Sequence, residues 1–125
     1  MDRTNPQHYR DEAVIVDGKR YEPINICECY NFCLGNALKY LLRAEHHKDG
    51  VKLNYQKAKW YLNRLFKQDL MVYPKCDGND VAKVLAVYRM KFPIIATLLE
   101  PSGLCSIIGI NGAIKQIDEA LNELN

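Results

Sequence analysis

The sequence predicts a mainly α (α+β) fold: an antiparallel helix pair, two further helices and one or two small β-hairpins, all within one domain over residues 1–125. Three observations carry this expectation. Apolar residues recur at i, i+3, i+4 and i+7 in the segments 34–47 and 55–69. Asp17-Gly18 stands between β-prone runs. The composition, 48% apolar and 26% charged, is that of a chain able to close a core.

Taken in order, residues 1–12 form a polar arm. Ala13-Val14-Ile15-Val16, Asp17-Gly18 and Lys19-Arg20-Tyr21 then read as a hairpin over 13–22, because Asp-Gly suits a two-residue turn. Pro23 opens a short helix from Ile24 to Phe32. Gly35 marks a bend or a close packing point. From Leu34 to His47 a helix buries Leu34, Ala37, Leu38 and Leu41, and Lys48-Asp49-Gly50 stops it. Asn54 is a natural cap for the next helix, Tyr55 to Asp69, with Tyr55, Ala58, Leu62 and Leu65 on its apolar face. The short connection makes these two helices antiparallel neighbours. After a loop over 70–78, Asn79 or Asp80 caps a helix from Val81 to Lys91, which Pro93 ends. Glu100-Pro101-Ser102-Gly103 has turn chemistry, so a second hairpin is expected across 94–110, with a helical turn in 94–99 as the rival. Asn111 caps the last helix, Gly112 to Leu124. Residues 23–69 thus form a helical core and 70–125 a C-terminal helical part.

Charge narrows the function. A net charge of +2 is too small to imply a duplex nucleic-acid partner. No run of about 18 apolar residues exists to span a membrane, and the polar segment Met1 to Arg10 lacks the apolar stretch of a signal peptide. Five cysteines without a secretion signal are therefore expected to be reduced thiols in a cytoplasmic protein. Cys27-x-Cys29-x3-Cys33 does not have zinc-ligand spacing, so no metal site is assigned. Gly109-Ile110-Asn111-Gly112 is read as a helix start and Ser102-Gly103 as a turn.

The faces opposite the apolar stripes carry the chemistry. At about 100° per residue, Asn36, Tyr40, Arg43 and His47 share one stripe, flanked by Lys39. An amide can read a base edge and a guanidinium can grip phosphate through parallel hydrogen bonds. On the second helix Lys57, Trp60 and Arg64 face away from the core. A Trp between two cations can stack on a base while they hold phosphate. A solvated polar face is the plainer alternative.

The segment Phe32-Cys33-Leu34-Gly35-Asn36-Ala37-Leu38-Lys39-Tyr40-Leu41-Leu42-Arg43-Ala44 resembles the phage nucleotide-kinase-like family, much of which is catalogued only as a domain of unknown function. Tyr55-Gln56-Lys57-Ala58-Lys59-Trp60-Tyr61-Leu62-Asn63-Arg64-Leu65 and the upstream Pro6-Gln7-His8-Tyr9 are similar to further elements of it. The resemblance covers residues 5–66. The family's best-known relative phosphorylates deoxynucleoside monophosphates. The resemblance implies ligand-binding roles for His8, Tyr9, Asn36, Lys39, Tyr40, Arg43, Lys57 and Trp60; His47 and Arg64 enter from the stripes alone. The family usually has Trp where Leu42 stands and Gly after the Ala matched by Ala44, whereas Glu45-His46-His47 follow here, which implies a longer helix.

Three functions fit. A nucleoside monophosphate kinase would use ATP and Mg2+, yet the chain has no G-x-x-x-x-G-K-[ST] loop and no assignable base, with Glu28, Glu45 and Asp49 the nearby acids. A sponge for a nucleotide or cyclic nucleotide signal of host immunity needs only stacking rings and cations, and is expected to be a homo-oligomer in the host cytoplasm. A structural or protein-inhibitory module would place Trp60 at a protein interface.

Overall fold

The computed structural model describes residues 12–44, 50–68, 71–76 and 79–124. It is mainly helical with one small sheet, as the periodicities require. Strands β1 (Val14–Val16) and β2 (Lys19–Tyr21) pair antiparallel, with Val14 opposite Tyr21 and Val16 opposite Lys19. Asp17 and Gly18 both take positive φ, 51° and 79°, the geometry a two-residue turn matching strand twist demands. Val14 and Val16 are buried and Ile15 is exposed, the alternation of a half-buried strand.

Helix α1 (Pro23–Cys27) is shorter than expected. Pro23 supplies its first turn, and the Glu22 amide donates to Asn25 Oδ1 at 2.8 Å. The chain turns at Glu28 because Asn31 is the cap of the next helix: its Oδ1 accepts from the Leu34 amide at 2.9 Å. Phe32 therefore begins α2 (Phe32–Arg43) and does not end α1. Helix α2 buries Leu34, Ala37, Leu38 and Leu41 as the spacing dictates, and Leu42 with them. Gly35 is a close-approach position. A Cβ there would lie 2.7 Å from the Cys27 carbonyl oxygen, so only glycine lets the end of α1 rest on α2.

Helix α3 (Val51–Gln68) starts before the expected cap. Asn54 is buried inside its first turn, its amide bonded to the Gly50 carbonyl at 2.7 Å; continued backbone bonding wins over side-chain capping here. Phe32, at the start of α2, meets Tyr61, whereas Tyr40 further along meets Lys57 one turn earlier in α3. The two helices thus run antiparallel.

Helix α4 (Asn79–Lys91) buries Val84, Leu85 and Tyr88, and includes Asn79 and Asp80 instead of being capped by them. Its Tyr88 hydroxyl donates to the Glu12 carbonyl at 2.7 Å. The expected hairpin over 94–110 is not formed. Pro93 both ends α4 and opens α5 (Pro93–Leu98). A six-residue apolar run has no decisive period, and here Ile95 and Leu98 face the core at helical spacing. The turn after it is real, with the Gly103 amide bonded to the Glu100 carbonyl at 2.8 Å. Beyond it Cys105 pairs with Val72, not with residues 94–99.

The last helix, α6 (Ile107–Glu123), starts ahead of the expected Asn111 cap because Ser106 caps it, its Oγ accepting from the Gly109 amide at 3.3 Å. A Cβ on Gly109 would lie 2.6 Å from the Leu98 carbonyl oxygen. Gly109 and, against Thr97, Gly112 thus lie inside the first turns of α6, where they let it seat on α5. Helix α6 also meets α3, where Lys59 pairs with Asp118 at 2.6 Å.

The cysteines require a correction. Cys29 and Cys76 form a disulfide, with Cα atoms 5.0 Å apart, so not all five are reduced thiols; Cys27, Cys33 and Cys105 are free. The pairing arises because residues 71–76 run beside the α1–α2 turn, where the Lys75 amide bonds the Cys29 carbonyl. No described helix is long and apolar enough to cross a membrane.

Candidate functional site

The outward crest of α2 and the adjoining face of α3 form an aromatic and cationic shelf. Tyr40 is its centre. The Lys39 ammonium lies 4.5 Å from the Tyr40 ring centroid, Lys57 from α3 lies 5.3 Å away, and the Arg43 guanidinium 5.8 Å away. Three cations therefore gather around one ring, each attracted by the negative π face at roughly 0.5–1 kcal/mol when exposed. None of the three pairs with a carboxylate among the described residues. The Arg43 Nε–H is buried without an acceptor among those residues.

Tyr61 extends the shelf. Its ring stacks on Tyr40 at 6.0 Å and 14°, and meets Trp60 edge-on at 5.0 Å and Phe32 edge-on at 5.9 Å. Phe32 and Trp60 remain 74% and 60% exposed, so two large rings reach solvent with Tyr61 wedged between them. Such exposure of aromatic surface beside cations that pair with no described carboxylate is unusual for a plain solvated face.

A cleft of about 380 Å³ opens beside the shelf, between α1 and α2, within the range of small-molecule sites. Residues 22–24, 27, 28, 30 and 31 supply one wall, and Phe32, Gly35, Asn36 and Lys39 the other. Gly35 forms the floor where the helices touch. Lys39 belongs to both the cleft and the shelf. Asn36 donates through Nδ2 to the Phe32 carbonyl at 2.8 Å, which ties its amide to the first turn of α2. Burial pushes the Cys27 thiol up to about 12 despite the pull of Lys39, so Cys27 is a neutral part of the cleft wall at physiological pH.

Of the residues singled out from the sequence, the structure brings together Lys39, Tyr40, Arg43 and Lys57, with Asn36 and Trp60 adjoining them. Arg64 is exposed on α3 two turns past Lys57 and is not among the cations around Tyr40. His8, Tyr9 and His47 lie outside the described residues. Sequence reasoning missed Phe32 and Tyr61. Phe32 stands four residues before Asn36, on the same stripe, which was the available signal. The α1 wall had no such signal.

Residues 3–63 match the family model described as a protein of unknown function, DUF3310. The match spans just under half of the chain and contains α1, α2, most of α3 and hence the shelf and the cleft. Its description links the chain to no nucleotide kinase. No curated protein and no solved structure matches the chain.

Proposed function

We propose that this protein binds a nucleotide on the α2–α3 shelf. The observation that supports it is the gathering of Lys39, Arg43 and Lys57 around Tyr40, beside the exposed rings of Phe32 and Trp60. A phosphate needs several cations without counter-charges; a base needs an open aromatic face. The two requirements meet within one short stretch of surface. Binding is the conclusion; phosphoryl transfer from ATP with Mg2+ would be an added step, and among the described residues no base is assigned to it. In a phage setting, binding alone would withdraw a nucleotide signal from host immunity.

Calorimetric titration with deoxynucleoside monophosphates and cyclic dinucleotides tests this. Arg43→Ala and Lys57→Ala are each expected to weaken binding by about tenfold, the worth of a charge-assisted hydrogen bond. Formation of a nucleoside diphosphate with ATP and Mg2+ would add kinase activity to the reading. Failure of every nucleotide to bind or to raise the melting temperature refutes it and favours a protein-interaction module.

A further inference from the structure

We infer that the α2–α3 face takes a single nucleic-acid strand, with bases stacked on Phe32 and Trp60 and phosphates held by the cations around Tyr40 and by Arg64. The inference rests on the nucleotide reading above and adds the class of ligand, a chain of two or more nucleotides. Charge points to a polyanion. Helices α2 and α3 hold Lys39, Arg43, Lys57 and Arg64 and no Asp or Glu, in a chain whose net charge is only +2. Basic character is thus concentrated on one helix pair, as on a nucleic-acid face. None of these four side chains pairs with a carboxylate among the described residues, and the Arg43 Nε–H is buried without an acceptor among them.

A mononucleotide brings one base and one phosphate, whereas this face offers two places for each. Phe32 and Trp60 come from different helices, both meet Tyr61 edge-on, at 5.9 and 5.0 Å, and both are exposed. One base covers one ring, so two open rings suit two bases. The cations divide likewise. Lys39, Arg43 and Lys57 surround Tyr40, whereas Arg64 is exposed and stands outside that group. Lys57, Trp60 and Arg64 follow one another at i, i+3 and i+7 along one face of α3, and the helix rises about 10.5 Å between the two cations. Trp60 thus stands between two phosphate-holding groups, as a base in a strand stands between the phosphates that flank it. A duplex fits less well, because its bases are stacked on one another and cannot cover open rings.

Trp60 is the chain's one tryptophan, so its fluorescence reports the contact directly. The full chain is titrated with dTMP and with oligothymidylates of two, four and eight nucleotides, and an oligouridylate run in parallel separates DNA from RNA. Quenching of Trp60 is expected, with affinity rising at least about tenfold from dTMP to the four-nucleotide strand. On a double-logarithmic salt plot each phosphate held on a single strand contributes a slope of about 0.7. Arg64→Ala is expected to lower that slope by about 0.7 for the strand but not for dTMP, and Phe32→Leu to weaken the strand by about fivefold or more. Arg64 and Phe32 are exposed, so unaltered melting temperatures will confirm that both variants are folded. Equal affinity for dTMP and the longer strands, a duplex or an acidic peptide of equal charge that binds as tightly as the strand, or a salt slope that Arg64→Ala leaves intact overturns the inference and spares nucleotide binding. Failure of dTMP and of every strand to bind overturns both.

Discussion

Replacing both Cys29 and Cys76 by serine should remove about 4 kcal/mol of stability. The two residues stand 47 positions apart, and the segment between them contains all of α2 and α3. In the chain-entropy picture, closing a loop of that length removes about 13.6 cal/mol/K from the unfolded ensemble, hence about 4 kcal/mol at room temperature. Unfolding entropy near about 2.1 cal/mol/K per residue converts this to a fall of about 15 °C in melting temperature. Paired urea melts of the wild type and the Cys29→Ser/Cys76→Ser variant measure the difference directly. A thiol count in denaturant should give three groups, Cys27, Cys33 and Cys105, and five only after reduction. Five thiols in the unreduced protein would refute the pairing. A double variant as stable as the wild type would refute the loop-closure reasoning.

Other outcomes follow from the same geometry. Gly35→Ala forces a methyl to within 2.7 Å of the Cys27 carbonyl oxygen; a loss of about 1–3 kcal/mol is expected, read from denaturant midpoints. Asn31→Ala removes the cap of α2 and should cost about 1 kcal/mol in the same assay. Trp60→Ala, at an exposed site, should change stability by less than about 0.5 kcal/mol yet weaken nucleotide binding by about 1–3 kcal/mol. Burial pushes the Cys27 and Cys105 thiols from 9.0 up to about 12. Between those values the unfolded state has released protons that the native state keeps, so stability is full below pH 9.0 and falls as pH rises toward about 12. Urea midpoints across that range check the sign, and brief alkylation at neutral pH should label Cys33 ahead of both.

Local signals were readable and long-range ones were not. The Asp17-Gly18 turn, the apolar faces of α2 and α3 and the break at Pro93 each depend on residues a few positions apart. The hairpin expected over 94–110 failed because Ile94 to Leu99 is too short to show a period, and its partner near Cys105 found Val72 instead. Gly109 and Gly112 looked like a helix start because their real purpose, contact with α5, is set by tertiary packing. The shelf followed the same division. Lys39, Tyr40 and Arg43 were visible by helical projection, and Lys57 by its place beside Trp60. The cleft was not visible, since its walls are brought together by Gly35 and a helix crossing. Nor was the disulfide, which joins two segments that no sequence spacing relates.

Lys39 lines the cleft between α1 and α2 and also lies over the Tyr40 ring of the shelf. On the nucleotide reading proposed above, that one flexible ammonium would serve both places. A ligand filling the cleft would restrict where that ammonium can go, and so would alter the affinity of the shelf for inorganic phosphate. The reverse holds by the same factor, because coupling free energies are reciprocal. Cleft and shelf are then not independent: Lys39 and Phe32 belong to both, and neutralising Lys39 would weaken the coupling between them.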